Sequence, residues 1–276
     1  MRATFPLILL LITFMACGEL VSSQAQPPDG WVSYKTPTDE ELRCANYAKR
    51  SWKVTLDGER LQIGLNTERL RQDPLPPQIR SRHVQAGSKT DRVVVRVNDG
   101  WIVGLDSGEF GGGLWWFSTD GRRSQKLSED NVVALIDTHK GVLVLAGLSH
   151  MGFDDGKVLR VTSGSRSAKK LELLADLHFT PRAFAVESAD SLIVLTTSPL
   201  VRVRVSGEVE TLLAETDYRL LYPTSMTLSP SGVIHVGMRH FVTRLTPNGK
   251  TYREEWFVPQ DCTRFSRRDY GCVCGP

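Results

Sequence analysis

The feature of this sequence that most restricts its fold is a short apolar strand that recurs at intervals of about forty residues. The clearest unit covers residues 222–256, where four extended runs surround glycine turns at Ser231-Gly232 and Asn248-Gly249. Apolar and polar residues roughly alternate within these runs, which is the period of a β-strand and not of a helix. Because Ser-Gly and Asn-Gly adopt the backbone conformations of tight hairpins, the unit predicts a four-stranded antiparallel meander.

The second strand of this unit has counterparts upstream. Matching runs begin at residues 100, 141, 191 and 232, so the intervals are 41, 50 and 41 residues. This period fits one blade of a β-propeller better than a helical repeat of about 34 residues. A weaker copy at residues 57–65 places Gly58 42 residues before Gly100. We therefore predict an all-β fold, a β-propeller of four to five four-stranded blades with a short N-terminal helix. Since residues 73–87 hold three prolines and depart from the repeat, the first blade is expected to be incomplete or completed from elsewhere.

The repeat divides the chain into three predicted segments. Residues 1–25 form a signal peptide, or residues 1–16 a lipoprotein signal; residues 26–50 form a linker and a short helix; residues 51–276 form the propeller with a cysteine-rich C-terminal tail. The helix is predicted because Thr38 and Glu41 have the spacing of a capping box ahead of Leu42 and Ala45.

The N-terminal residues have the pattern of an export signal. Arg2 precedes an apolar run from Phe5 to Ala16, which is too short to span a bilayer and suits a secretory signal. Two processing routes stay open. In the first route, the small residues Ser23 and Ala25 allow cleavage before residue 26. In the second route, Cys17 is lipidated at a site that resembles the cleavage site of bacterial lipoproteins. We expect a periplasmic or secreted protein, anchored to the envelope by lipid in the second case.

Four cysteines remain once Cys17 is cleaved off or lipidated, and they are Cys44, Cys262, Cys272 and Cys274. Four cysteines in an exported protein predict two disulfides. A bridge between Cys272 and Cys274 would be strained because one residue separates them, so we expect each to pair with Cys44 or Cys262. Such bridges would join the two ends of the propeller. A zinc site is the rival interpretation, but the sequence lacks paired Cys-x2-Cys spacing and histidine partners.

Charge and motifs exclude several function classes. The net charge of +3 comes from scattered Lys and Arg without a basic block, so no nucleic-acid partner is predicted. The chain has neither a Gly-x-Ser-x-Gly elbow nor a His-Glu-x-x-His helix. We therefore predict no catalytic residue, no metal and no cofactor. Asp154-Asp155-Gly156 is interpreted as a hairpin turn rather than part of a calcium loop.

A propeller would collect its loops on one face. The turns between second and third strands would lie beside the links that lead to the next blade, and these loops are rich in aromatic side chains. Aromatic residues and Arg on one face are typical of a recognition surface; the alternative is that they cover the blade ends. The predicted binding residues are Phe110, His150, Phe153, Phe179, Tyr218, Tyr222, Arg239 and His240.

The repeats also resemble a known family. Their Gly-apolar-apolar-x-Val-Gly strands, and the closing segment from Tyr222-Pro223 to Arg244-Leu245, are similar to bacterial β-propeller repeats of the streptogramin-lyase and two-component-regulator type over about residues 91–258. The resemblance implies a propeller, and some of those relatives are lyases that use histidines and a metal at the propeller face. It assigns no catalytic residue in this chain, because a fold does not determine a function.

Three functional hypotheses follow. The first is an exported, monomeric, non-enzymatic propeller that binds a protein or peptide through its loop face, for example as an inhibitor or immunity protein. The second is a metal-assisted lyase or hydrolase that uses His150, His178 and His240 at the same face. The third is a structural protein of the cell envelope.

Overall fold

The computed structural model describes residues 26–68, 70–85, 87, 89–163, 168–262, 264–268 and 271–275. In these segments the chain forms four antiparallel sheets of four or five strands, two two-stranded hairpins and one α-helix. The predicted all-β class with a short N-terminal helix is therefore confirmed.

The described chain begins with a strand and a helix. Strand β1 (Trp31–Tyr34) precedes helix α1 (Asp39–Ala45). The helix starts with the predicted capping box, in which the Thr38 hydroxyl accepts from the Glu41 amide and the Glu41 carboxylate accepts from the Thr38 amide. Glu41 also accepts from the Tyr34 hydroxyl at 2.7 Å. These bonds fix the helix against the strand before it.

The weak first copy of the repeat forms a hairpin. It consists of β2 (Trp52–Asp57) and β3 (Arg60–Leu65). Beyond it, Gln72 makes a parallel bridge to Arg92. The start of the proline-containing segment thus runs beside the next sheet, where the Asp73 amide donates to Arg92 O at 3.0 Å.

Four larger sheets follow one plan, in which four consecutive strands form an antiparallel meander. Sheet 1 contains β4 (Asp91–Val97), β5 (Gly100–Asp106), β6 (Gly112–Ser118) and β7 (Ser124–Ser128). Sheet 2 contains β8 (Val132–Thr138), β9 (Gly141–His150), β10 (Phe153–Ser163) and β11 (Lys169–Asp176). Sheet 3 contains β12 (Pro181–Ser188), β13 (Ser191–Thr196), β14 (Leu200–Arg204) and β15 (Val209–Leu213). Sheet 4 contains β16 (Ser225–Leu228), β17 (Ile234–Gly237), β18 (Val242–Asn248) and β19 (Thr251–Pro259). A C-terminal hairpin contains β20 (Arg264–Arg268) and β21 (Gly271–Gly275).

The copies of the repeat occupy equivalent positions. The runs beginning at Gly100, Gly141 and Ser191 are the second strands of sheets 1, 2 and 3, and β17 holds the same position in sheet 4. Gly249-Lys250 joins β18 to β19 directly after Asn248, with Gly249 at φ 62°, a conformation that glycine adopts without strain. The repeat identified in the sequence is therefore a repeat of structure.

Sheet 4 gains a fifth strand from the N-terminal end of the described chain. Strand β1 pairs antiparallel with β19, from Trp31 opposite Pro259 to Tyr34 opposite Trp256. The sheet thus joins residues more than two hundred positions apart in the sequence.

Both faces of each inner sheet are buried. In β13, Ile193 and Leu195 pack towards sheet 4, whereas Leu192 and Val194 pack towards sheet 2. Alternate side chains of a strand point to opposite faces, so a strand buried on both faces is apolar throughout. Burial of each such side chain contributes about 1.5–3 kcal/mol.

Hydrophobic clusters link the sheets in sequence. Separate clusters join sheet 1 to sheet 2, sheet 2 to sheet 3, sheet 3 to sheet 4, and sheet 4 to the β2–β3 hairpin. A fifth cluster packs Ile79 and Val84 against Val103 and Phe117 of sheet 1. This successive face-to-face packing is consistent with the predicted β-propeller.

Candidate functional site

The loops predicted to share one face do lie together. The Asn131 amide donates to Gly108 O at 3.0 Å, the Thr216 hydroxyl donates to Ser198 O at 2.7 Å, and the Arg239 amide donates to Leu221 O at 2.7 Å. Each bond joins a turn between second and third strands to a link that leads to the next sheet. We call the surface formed by these turns and links the loop face.

Large apolar side chains are exposed on the loop face. Phe110 is 73% exposed and Phe153 is 57% exposed, and Phe179 and Tyr222 are also exposed. Met151, at 93% exposure, belongs to the same surface, although the sequence prediction did not include it. Its position before Gly152 at the tip of the β9–β10 turn is the signal that could have identified it. Exposed apolar patches of this kind commonly mark interaction sites.

Tyr222 and Arg239 form a cation–π pair. The Arg239 guanidinium lies 4.0 Å from the centroid of the Tyr222 ring, and it also donates to Asn46 O at 2.5 Å. Tyr222 has φ 49°, in the left-handed region. A cation–π contact at an exposed site is worth about 0.5–1 kcal/mol, and here it fixes the orientation of an exposed ring.

Two of the predicted contact residues are instead part of the core, which corrects the sequence prediction. Tyr218 is fully buried, packs edge-on against Trp256 at 5.4 Å between ring centroids, and hydrogen-bonds to the Glu254 carboxylate. Burial raises the pKa of Tyr218 well above its usual range. The tyrosine lies beneath the loop face because its ring fills the space between sheets 3 and 4.

His240 is the second correction, since only 2% of its surface is exposed. Its ring lies 5.0 Å from that of Phe241, and its Nε2 is 3.3 Å from the Sγ of Cys262. The Trp52 indole donates to the backbone carbonyl of His240 at 3.1 Å. Burial lowers the pKa of His240 to about 4, so the imidazole is neutral near pH 7.

The remaining histidines of the second hypothesis have separate partners. His150 Nε2 lies 2.7 Å from Glu109, and His178 Nδ1 lies 3.1 Å from Asp176. No three His, Cys, Asp or Glu side chains lie close enough to hold a metal ion in the part of the chain that the structure describes. The three histidines proposed as ligands therefore do not form one site.

Asp154 has a different role from the one predicted. Asp154-Asp155-Gly156 lies within β10 and is not a turn, because the hairpin reverses at Met151-Gly152. The Asp154 carboxylate accepts from the Thr180 amide at 2.9 Å and from the hydroxyls of Thr180 and Thr197 at 2.6 Å. Burial acts to raise the pKa of Asp154, but these hydrogen bonds outweigh it and hold the pKa below its usual value.

The cysteine-bearing segments meet at one side of the molecule. Helix α1, which carries Cys44, packs against β20 and β21, and Cys262 is fully buried just before β20. The side chains of Cys272 and Cys274 lie outside the described residues, so the two disulfides stay a prediction.

The predicted signal segment, residues 1–25 with Cys17, also lies outside the described residues. Among those that are described, no helix has the length and apolarity needed to cross a bilayer.

Comparisons with known proteins show similarity of structure only. No protein-family model and no curated protein matches the chain. Among solved structures, a streptogramin B lyase matches with 11% identity and a TM-score of 0.36 over 60% of this chain and 57% of that one. Virginiamycin B lyase from Staphylococcus aureus matches with 11% identity and a TM-score of 0.39, covering 81% of this chain and 72% of the lyase.

A third match is the extracellular domain described as part of a hybrid two-component system from B. thetaiotaomicron. It has 11% identity and a TM-score of 0.42 over 88% of this chain and 36% of that one. The chain thus spans about three fifths of the streptogramin B lyase and about a third of the two-component domain. These proteins are of the types that the repeats resemble, but all three TM-scores are below 0.5, so neither a family nor a function is taken from them.

Proposed function

We propose that this chain is an exported, non-enzymatic β-propeller that binds a protein or peptide partner through its loop face. The β2–β3 hairpin and sheets 1 to 4 would be its five blades, the first of them short. The observation that carries the binding proposal is the set of exposed apolar side chains on that face, which are Phe110, Met151, Phe153, Phe179 and Tyr222. Buried aromatic anchors supply most of the affinity in protein interfaces.

Charged groups surround these anchors. His150 Nε2 contacts the Glu109 carboxylate beside Phe110, and the Lys89 ammonium lies 5.9 Å from the centroid of the Phe110 ring. A polar rim around apolar anchors is the usual anatomy of a non-obligate interface. Phe110 and Phe153 would lie at the centre of the interface with the proposed partner.

The binding proposal is tested by capture of a partner from an envelope extract. The wild-type protein and the variant Phe110→Ser/Phe153→Ser/Phe179→Ser are used as baits. Leu173→Ser is the matched control, since Leu173 is 63% exposed on β11, away from the loop face. We expect the wild type and the control to retain the same partner and the triple variant to lose it. Equal capture by all three baits would contradict the proposal.

Export is tested by the mass of the mature N-terminus. A chain that begins at residue 26 would establish signal cleavage, and a lipid-modified Cys17 would establish anchoring. An unprocessed N-terminus at Met1 would contradict export.

A further inference from the structure

A second potential binding site lies where the axis of the proposed propeller would run. It is a cavity of about 390 Å³, and the β2–β3 hairpin, sheets 1 to 3 and the loop just before sheet 4 contribute residues to its wall. These contributions are Lys53 in β2, Asp91 in β4, Val133 in β8, Arg182 in β12 and Thr224 just before β16. Asp106 and Gly108, at the start of a loop-face turn, also line it. The cavity therefore opens at the centre of the loop face, and its volume is in the range of small-ligand pockets.

Arg182 is the cation in this cavity that has no counter-ion. Its guanidinium makes no hydrogen bond or ion pair within the described residues, and the Tyr222 ring lies 6.0 Å away. Asp106 and Asp154 act on it electrostatically without pairing. Burial lowers the pKa of Arg182. A partly desolvated guanidinium with free donors is suited to bind a carboxylate.

Two carboxylates lie across the same cavity. Asp91 and Asp106 are directly opposite each other on β4 and β5. One oxygen of Asp91 accepts from the Arg71 amide at 2.5 Å, and one oxygen of Asp106 accepts from the Gly108 amide at 2.8 Å. Burial raises the pKa of both carboxyls, and that of Asp106 is raised further by Asp91. A bound cation would relieve this repulsion.

The other charged groups of the wall already have partners. Lys53 pairs with Glu68 at 2.9 Å, and Arg71 pairs with Asp73 at 3.1 Å. The charged groups of the wall that form no ion pair within the described part of the chain are therefore one guanidinium and two neighbouring carboxylates.

We propose that this axial cavity binds a small zwitterion, an amino acid or dipeptide, whose carboxylate pairs with Arg182 and whose ammonium group pairs with Asp91 and Asp106. A ligand with both charges would satisfy the three unpaired groups at once. The proposal does not rest on a partner at the loop face, because the aromatic anchors are not among the residues that line the cavity.

The test begins with thermal-shift measurements on the wild-type protein. The probes are each of the common L-amino acids and glycylglycine at millimolar concentration, since a ligand that binds the folded state raises the melting temperature. We expect at least one probe to raise it, and we expect the N-acetyl and the amide derivatives of that probe to have no effect. If glycylglycine binds and no amino acid does, the ligand class is a dipeptide and not an amino acid. Absence of a shift with every probe would overturn the proposal.

Variants then locate the site by calorimetric titration with the active probe. Arg182→Gln is expected to weaken binding at least about ten-fold, because it removes a charge-assisted hydrogen bond, and Asp106→Asn is expected to weaken it as well. Arg204→Gln is the control, since Arg204 is an exposed arginine paired with Glu208 on β14. Unchanged affinity in Arg182→Gln would overturn the proposal. If circular dichroism shows that Arg182→Gln does not fold, it is replaced by Arg182→Lys. This variant keeps the charge but loses the bidentate geometry. Unchanged affinity in Arg182→Lys would then overturn the proposal.

Discussion

At the residue scale, Asp154 joins two loops of the loop face. Its carboxylate accepts hydrogen bonds from Thr180 and Thr197, and these threonines belong to different loops and are almost fully buried. A carboxylate that satisfies several donors contributes more to stability than an exposed ion pair. The neighbouring Asp155 lies 3.4 Å from Lys157 in a solvated ion pair.

We expect Asp154→Ala to lower the free energy of unfolding by about 2–3 kcal/mol, because buried Thr180 and Thr197 lose their acceptor. Asp155→Ala, the adjacent control, should change it by less than about 1 kcal/mol. Urea unfolding of both variants measures the difference. Equal destabilisation would show that the hydrogen bonds of Asp154 do not stabilise the loops.

Buried histidines make stability depend on pH. Burial lowers the pKa of His235 and of His240 to about 4, with Arg244 adding to the effect at His235 and Arg50 at His240. Between that value and the pKa of an unfolded histidine, about 6.5, the unfolded chain binds protons that the folded chain does not. The stabilisation is therefore complete above about pH 6.5 and is lost as the pH falls towards 4.

We expect the free energy of unfolding to fall by about 1.4 kcal/mol per pH unit for each buried histidine in this window. His235→Gln should reduce the slope by that amount, and His139→Gln, which replaces an exposed histidine, should leave it unchanged. Denaturant unfolding at several pH values gives the slopes. A slope unaffected by His235→Gln would contradict this account.

At the scale of the element, glycines set how closely the loops cross the strands. A Cβ at Gly156 in β10 would lie 1.8 Å from the backbone oxygen of Phe179. The link that carries Phe179 to β12 therefore passes directly over the strand. Gly64 in β3 is different, because nothing lies within 4 Å of a Cβ built there.

We expect Gly156→Ala to displace the Phe179 link and to cost about 1–3 kcal/mol of stability, the usual cost of overpacking. Gly64→Ala should be close to neutral. Thermal unfolding measures the cost, and partner capture measures whether the moved link weakens binding. Wild-type stability in Gly156→Ala would show that the link can shift without strain.

At the scale of the whole molecule, two N-terminal elements pack against the last part of the described chain. Strand β1 completes sheet 4, and the Trp31 and Trp52 rings pack edge-on at 4.9 Å between centroids. Arg50 forms an ion pair with Asp261 at 2.9 Å. The sheet pairing and the charge pair thus hold the N-terminal and C-terminal parts of the chain together, and the aromatic contact joins two N-terminal segments.

The predicted disulfides would add covalent links between the same N-terminal and C-terminal parts. We expect the four cysteines of the mature protein to resist alkylation until reductant is added, and reduction to lower the free energy of unfolding by about 2–4 kcal/mol. The variant Cys272→Ser/Cys274→Ser should already have the lower stability and should not respond to reductant. Mass spectrometry after alkylation measures the first effect and urea unfolding the second. Alkylation of all four cysteines without reductant would contradict the pairing.

The sequence by itself determined the strands and their repetition. Alternation of side chains, glycine turns and the Thr38–Glu41 capping box act within a few residues, so the second strands at Gly100, Gly141 and Ser191 could be located before any contact was known. The loops that share one face followed from the order of the strands, and Phe110, Phe153 and Tyr222 are exposed there as expected.

Only the tertiary structure decided which of those residues are accessible and which charges meet. Tyr218 and His240 lie in loops of the same face, yet both are buried, Tyr218 between sheets 3 and 4 and His240 against Phe241 and Cys262. Asp91, Asp106 and Arg182 share one cavity although two sheets contribute them. Burial and charge pairing depend on how distant segments of the chain pack against one another, and no local pattern of residues contains that information.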